Sequence, residues 1–180
     1  MRVSKTESGA EASAKPGRDY DQPPRSGLYI ISGVKLMGKI IAICKSDEKG
    51  TAKYEIPEGI LVEEWGLEED AHAGKWHRQV SLLALEQIED FRARGADVEF
   101  GAFGENLVVE GFDLKSLPIG TRFTVGDDIL LELTQIGKQC HSHCAIYASV
   151  GDCIMPREGV FTRVLKGGTV KVGDAIEITN

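Results

Sequence analysis

The chain has 180 residues, 42% of them apolar and 27% charged, with 21 Gly and only 6 Pro, which describes an ordinary globular domain able to bury a core without disulfide help. Its 21 basic and 28 acidic side chains leave a net charge of −7, so a nucleic acid backbone meets a repelling average field, and a small molecule or a protein is the expected partner. No apolar run reaches the ~18 residues of a membrane span and no cleavable leader is legible, so a cytoplasmic protein without a membrane contact is expected.

Residues 1–36 read as a disordered tail, because Ser4, Ser8, Ser13, Ser26, Pro16, Pro23, Pro24 and charges of both signs bring almost nothing to bury. The folded unit is expected over 37–180. Ile40–Cys44, Gly59–Trp65 and Val80–Leu83 are apolar runs of strand length. Within Ala84–Arg94, Leu85, Ile88 and Phe91 recur at three-residue steps and Gly95 follows as a stop signal, which predicts an amphipathic helix. Strand signals resume at Asn106–Glu110, Arg122–Val125, Ile129–Thr134, Thr169–Val172 and Ala175–Ile178. Gly126-Asp127-Asp128 and Gly173-Asp174 are suited to tight hairpin turns. Many short strands at this spacing predict a mostly β fold, a closed or nearly closed barrel with a few short helices.

Four cysteines are too few for a disulfide scaffold, and three of them fall between Cys140 and Cys153, a clustering that points to chemistry or metal. Ser142 is suited to cap a short helix that Gly151 ends. Cys140 then lies just outside that helix beside Lys138, His141 and His143, the conditions under which a thiol becomes a thiolate nucleophile. Burial as an inert filler suits Cys44 and Cys153 better. Cys140, His141, His143 and Cys144 are also four soft ligands, yet zinc is disfavoured because neighbours on one turn cannot all converge on one ion.

Three further stretches are candidates for binding. Gly66–Ser81 places Lys75, His77 and Arg78 in a Gly-punctuated loop, fit to hold an anion or move a proton, or else a solvated surface loop. Glu105 and Asn106 enter a strand from a turn and either line a pocket or satisfy backbone groups. Arg157, Arg163 and Lys166 gather positive charge in an acidic chain, as an oxyanion site or as a solvated helix face.

Taken in order, Gly66–Gly74 leading into His77-Arg78-Gln79-Val80-Ser81-Leu82-Leu83, Phe103-Gly104-Glu105-Asn106-Leu107, Gly111-Phe112-Asp113-Leu114, Leu117-Pro118-Ile119-Gly120, Val125-Gly126 and Leu131-Glu132-Leu133-Thr134 running into Cys140 resemble the MOSC family, named for the C-terminal domain of molybdenum cofactor sulfurase. The resemblance spans roughly Met37 to Ile178 and implies a barrel-like β domain that handles the molybdenum cofactor (molybdopterin) or its sulfur. It implies that Cys140 carries sulfur as a persulfide or ligates molybdenum, with His141, His143 and Cys144 as further candidate ligands. Lys75, His77, Arg78, Glu105, Asn106, Lys138, Arg157 and Arg163 are the candidate cofactor-binding residues, the arginines and lysines toward its phosphate. Pyridoxal phosphate enters only through the desulfurase domain that some family members carry. The implied partners are a cysteine desulfurase or other sulfur donor, and a molybdoenzyme or cofactor-synthesis protein. A reductase of N-hydroxylated compounds and a cofactor- or metal-delivery module are the alternatives. Cys144, four residues after Cys140, departs from the sulfurase pattern and resembles the small stand-alone bacterial branch.

Overall fold

The computed structural model describes residues 37–139, 147 and 151–179. The expected tail therefore lies outside the described residues, as do Cys140, His141, His143 and Cys144.

The chain is built on β1 (Met37–Lys45), whose Met37–Lys39 pair with β11 (Ala175–Thr179) and whose Lys39–Ile43 pair with β6 (Leu107–Glu110). An irregularity between Ile40 and Ala42 shifts the β1–β6 register and turns the strand between its neighbours. Gly38 sits at this seam, where a Cβ would run into the Phe112 ring and the Glu110 carbonyl, so only glycine lets the strands close. From β1 the order runs through β6, β5 (Val80–Ala84), β9 (Val160–Lys166), β8 (Ile129–Ile136) and β7 (Arg122–Val125) to β11, which returns to β1. Seven strands thus close a barrel, and β2 (Tyr54–Ile56) extends it from the end of β1. A small sheet of β10 (Gly168–Lys171), β3 (Glu58–Val62) and β4 (Gly66–Leu67) packs Leu61, Leu67 and Val170 onto the same core.

The pleat sends alternate residues to two faces. Leu82, Leu107, Val109, Leu131 and Leu133 fill the barrel, whereas Leu83, Val108 and Phe161 point outward to a second cluster with Ile88, Phe91 and Phe103. The helix α1 (Leu85–Ala93) carries Ile88 and Phe91 onto that outer face and is the crossover that makes β5 and β6 parallel neighbours. Because β5 is covered on both faces, all five of its residues are buried.

The closed, mostly β architecture follows the expectation, as do α1 and the Gly126 turn joining the antiparallel β7 and β8. Three local readings need correction. The stretch read as an oxyanion site or a solvated helix face is not one helix: a four-residue helix, α2 (Met155–Glu158), is followed by β9, whose Val160, Thr162 and Val164 are all fully buried. Attention to its charges hid an alternating strand. Gly173-Asp174 is not a hairpin: β10 pairs with β3, and β11 with β7 and β1. The turn instead docks on β1, its Gly173 N–H donating to the Ile40 carbonyl at 2.8 Å and Ile40 N–H to the Asp174 carbonyl at 2.9 Å. Within Gly59–Trp65 the strand β3 ends at Val62, and Glu63–Trp65 form the turn that leads into the antiparallel β4. Farther along, the Tyr147 carbonyl accepts the Gly151 N–H at 2.8 Å, and Gly151 has a φ of 79°; the short helix expected from Ser142 otherwise lies outside the described residues.

Candidate functional site

The segments that lead into β2, β5 and β6 and leave β8 line a pocket of about 280 Å³. Gly50 and Thr51 come from the loop before β2, His72, Trp76 and Arg78 from the loop before β5, Lys138 and Gln139 from the exit of β8. Ser81, Gly104 and Asn106 form a polar side, Met155 and Phe161 an apolar one.

The loop before β5 is held by a buried carboxylate. Asp70 accepts the Ser46 N–H at 2.9 Å and the His72 N–H at 3.2 Å, and it takes a short hydrogen bond from the Lys53 ammonium. Burial presses the Asp70 carboxyl upward, but Lys53 and the Ser46 N–H outweigh it and hold Asp70 below the ordinary carboxylate range. The same burial lowers Lys53 against the pull of Asp70. Trp76 is tied to this loop by its Nε1–H, which donates to the His72 carbonyl at 3.2 Å.

Arg78 then lies between two rings. Its guanidinium carbon is 4.5 Å from the Trp76 centroid and 5.6 Å from that of Phe161, and Phe161 is placed there by its register opposite Ser81. Stacking fixes the orientation of the cation while leaving its N–H edge uncommitted. Arg78 Nε is buried without a hydrogen-bond partner, and no carboxylate among the described residues forms an ion pair with Arg78 or Lys138. In an acidic protein, two cations that line one pocket without counter-charges among its described lining residues suit an oxyanion.

Asn106 serves both roles weighed for it. Its Oδ1 accepts from Ser81 N–H at 3.1 Å and Ser81 Oγ–H at 2.9 Å, and its Nδ2 donates to the Cys44 carbonyl at 3.1 Å, while the residue also lines the pocket. Glu105 is fully buried and accepts the Gly101 and Phe103 N–H groups at 2.7 and 3.1 Å, so it shapes the turn before β6 and does not face the pocket. Burial raises its carboxyl, opposed by those backbone donors.

The other candidates are distributed elsewhere. Lys75, His77 and Arg163 line a second, more open hollow with Glu64, Glu132 and Thr134, and Trp76 is the wall between the two. Arg163 is compensated there by Glu64 at 3.4 Å and Glu132 at 3.5 Å, and His77 Nε2 lies 2.8 Å from Gln135 Oε1. Arg157 pairs with Asp152 at 2.9 Å and lines neither hollow. Lys166 pairs with Asp128 at 2.8 Å. Among the described residues no group of His, Cys, Asp and Glu could hold a metal ion. Cys44 and Cys153 are buried, and burial pushes the Cys44 thiol far up. The two residues before Cys140, Lys138 and Gln139, line the pocket. Sequence reasoning passed over Trp76 and Phe161; the signal was the aromatic two residues before Arg78, whereas its second ring is supplied only by strand pairing.

A closed seven-strand barrel of short strands defines the class of fold. A family profile for the MOSC domain matches residues 69–177, and the chain belongs to the MOSC domain family. A protein named reductase from Gibberella moniliformis (strain M3125 / FGSC 7600) is 30% identical over 125 residues, 63% of this chain and 22% of that protein; the chain thus spans about a fifth of that relative. The fold is similar to the YuaD protein from Bacillus subtilis, with a TM-score of 0.68 at 19% identity over 81% of this chain and 97% of the other. It is also similar to YiiM from Geobacillus stearothermophilus, with a TM-score of 0.62 at 18% identity over 79% of this chain and 75% of the other. Among the described residues no helix is long and apolar enough to cross a membrane.

Proposed function

We propose that the pocket beside Arg78 and Lys138 receives the oxyanion end of the molybdenum cofactor, with Cys140, just past the lining residues Lys138 and Gln139, as the thiol that carries sulfur to it or ligates its metal. The observation that carries this reading is the Arg78 guanidinium, oriented by Trp76 and Phe161, with a buried Nε that has no protein partner. The donor set fits the phosphate of such a cofactor: two cations and the polar Ser81 and Asn106 side, without an opposing carboxylate among the pocket's described lining residues. When bound, the cofactor supplies a redox-active molybdenum centre and an acceptor for sulfur. Arg78 and Lys138 bind and orient its anionic end, and the Trp76 ring shields Arg78 from water on one face. A thiolate at Cys140 suits both roles, being nucleophilic toward sulfur and soft toward metals.

The similarity to a protein named reductase favours, as a second reading, an oxidoreductase component, for which the family resemblance implies molybdenum and N-hydroxylated compounds. Under the first reading a cysteine desulfurase or other donor supplies sulfur in the cytoplasm, and a molybdoenzyme or cofactor-synthesis protein receives it. Molybdenum and pterin content of the full chain purified from a molybdenum-replete host tests the proposal. Near-stoichiometric cofactor that is lost in Arg78→Gln and in Cys140→Ser is expected. Equal and negligible content in all three proteins, with no sulfane sulfur on Cys140, overturns it.

A further inference from the structure

His72 is the titratable group of the pocket that the reading above leaves unused. Its ring lines the pocket, and Nδ1 is buried without a hydrogen-bond partner. Nδ1 stands 3.9 Å from Asp70 Oδ2, too far for a hydrogen bond and near enough for an ion pair once the ring is charged. The main chain on both sides is fixed, because His72 N–H donates to Asp70 and its carbonyl accepts from Trp76.

We propose that His72 couples oxyanion binding in this pocket to the uptake of one proton from solvent. The inference rests on the reading of the Arg78 pocket as an oxyanion site. In the empty pocket, burial and the ammonium groups of Lys53, Lys138 and Lys49 hold the His72 imidazole below its ordinary range, against the attraction of Asp70. Lys53 comes from the turn before β2 and is itself paired to Asp70, Lys49 from the same loop, Lys138 from the exit of β8, and Arg78 shares the pocket. Each of these cations opposes a charged ring. An oxyanion seated beside Arg78 and Lys138 offsets two of them and makes the imidazolium favourable. The charged ring forms an ion pair with Asp70 through its Nδ1–H side and has a second N–H available to the ligand. The step is a proton transfer: an O–H bond of solvent hydronium breaks as the imidazole N–H forms, and nothing is oxidised or reduced. The sign follows: the bound state holds more protons than the free state, so affinity is gained as the pH falls toward 6 and fades as it rises.

Sulfate is the probe, since its charge is constant over this range. The imidazole signals of the full chain are followed by NMR against pH, with sulfate and with chloride at matched ionic strength. The signal absent from His72→Gln identifies His72. We expect its midpoint to be higher in sulfate, and sulfate to bind about threefold to tenfold tighter at pH 6 than at pH 8. His72→Gln should bind sulfate with a flattened pH dependence, and Arg78→Gln should weaken binding at every pH. An unchanged His72 midpoint, with binding still sensitive to Arg78→Gln, overturns the coupling and leaves the oxyanion pocket standing. Sulfate binding indifferent to Arg78→Gln overturns both. If His72→Gln fails to fold, Gln variants of His77, His141 and His143 assign the other three imidazole signals and leave that of His72 by elimination, so the wild-type titration still decides.

Discussion

The Lys53 ammonium and the Asp70 carboxylate form an ion pair whose side chains are 2% and 0% exposed. It joins the loop before β2 to the loop before β5, the two loops that supply Thr51 and His72 to the pocket. A pair so deeply buried contributes little net stability, but removing one partner strands the other charge. Asp70→Asn or Lys53→Met is expected to cost about 3–5 kcal/mol in denaturant unfolding, whereas Lys53→Met combined with Asp70→Leu should recover much of that loss. Equal destabilisation by the single and double variants would contradict a coupled pair.

The same carboxylate sets an acid limb of stability. Asp70 is held below its ordinary value of 3.8 in the folded chain, so the unfolded chain binds its proton first as the pH falls. Its contribution is present above that ordinary value and is lost as the pH falls through the lower folded value. Unfolding free energy measured against pH should show a steeper decline below about pH 4 in the wild type than in Asp70→Asn. Parallel curves would mean that Asp70 is not ionised preferentially in the fold.

Trp76 orients Arg78 from one face. Trp76→Leu should preserve the fold, because the ring is 38% exposed, yet weaken retention of an anionic ligand by about fivefold, the equivalent of a cation–π contact of about 1 kcal/mol. Arg78→Lys should be worse than Trp76→Leu, since an ammonium keeps the charge and loses the planar stack. Equilibrium dialysis against sulfate ranks the variants, and a better binder in Arg78→Lys would remove the argument from orientation.

Cys44 is fully buried and its thiol is pushed far up by that burial, so it should resist alkylation at neutral pH in the native state. Cys140 is expected to label fastest, given the cationic sequence around it. Peptide mapping after timed alkylation measures this, and faster labelling of Cys44 or Cys153 would reverse the assignment. Cys140→Ser should abolish sulfur loading or cofactor retention, while Cys144→Ser should leave most of it and cost chiefly stability.

Much of the barrel was legible because its signals are local. Leu85, Ile88 and Phe91 carry a helical period within one segment, and Gly126 marks a turn between adjacent strands, so both readings hold in the structure. Lys75, Arg78, Lys138, Arg157 and Arg163 are also visible as cations in an acidic chain. What a linear reading lacks is register. Phe161 reaches Arg78 only because β9 pairs with β5 at Ser81, and Arg163 is compensated because its strand lies beside Glu132 of β8 and because the turn before β4 brings Glu64 to it. Gly173 looks like a hairpin glycine because its dihedral preference is local, whereas the choice of β3 as the partner of β10 is made by the buried Leu61 and Val170. Periodicity and backbone preference are properties of neighbouring residues and survive in the sequence by themselves. Charge compensation, aromatic stacking and burial depend on distances between segments remote in the chain, and those exist only once the barrel has closed.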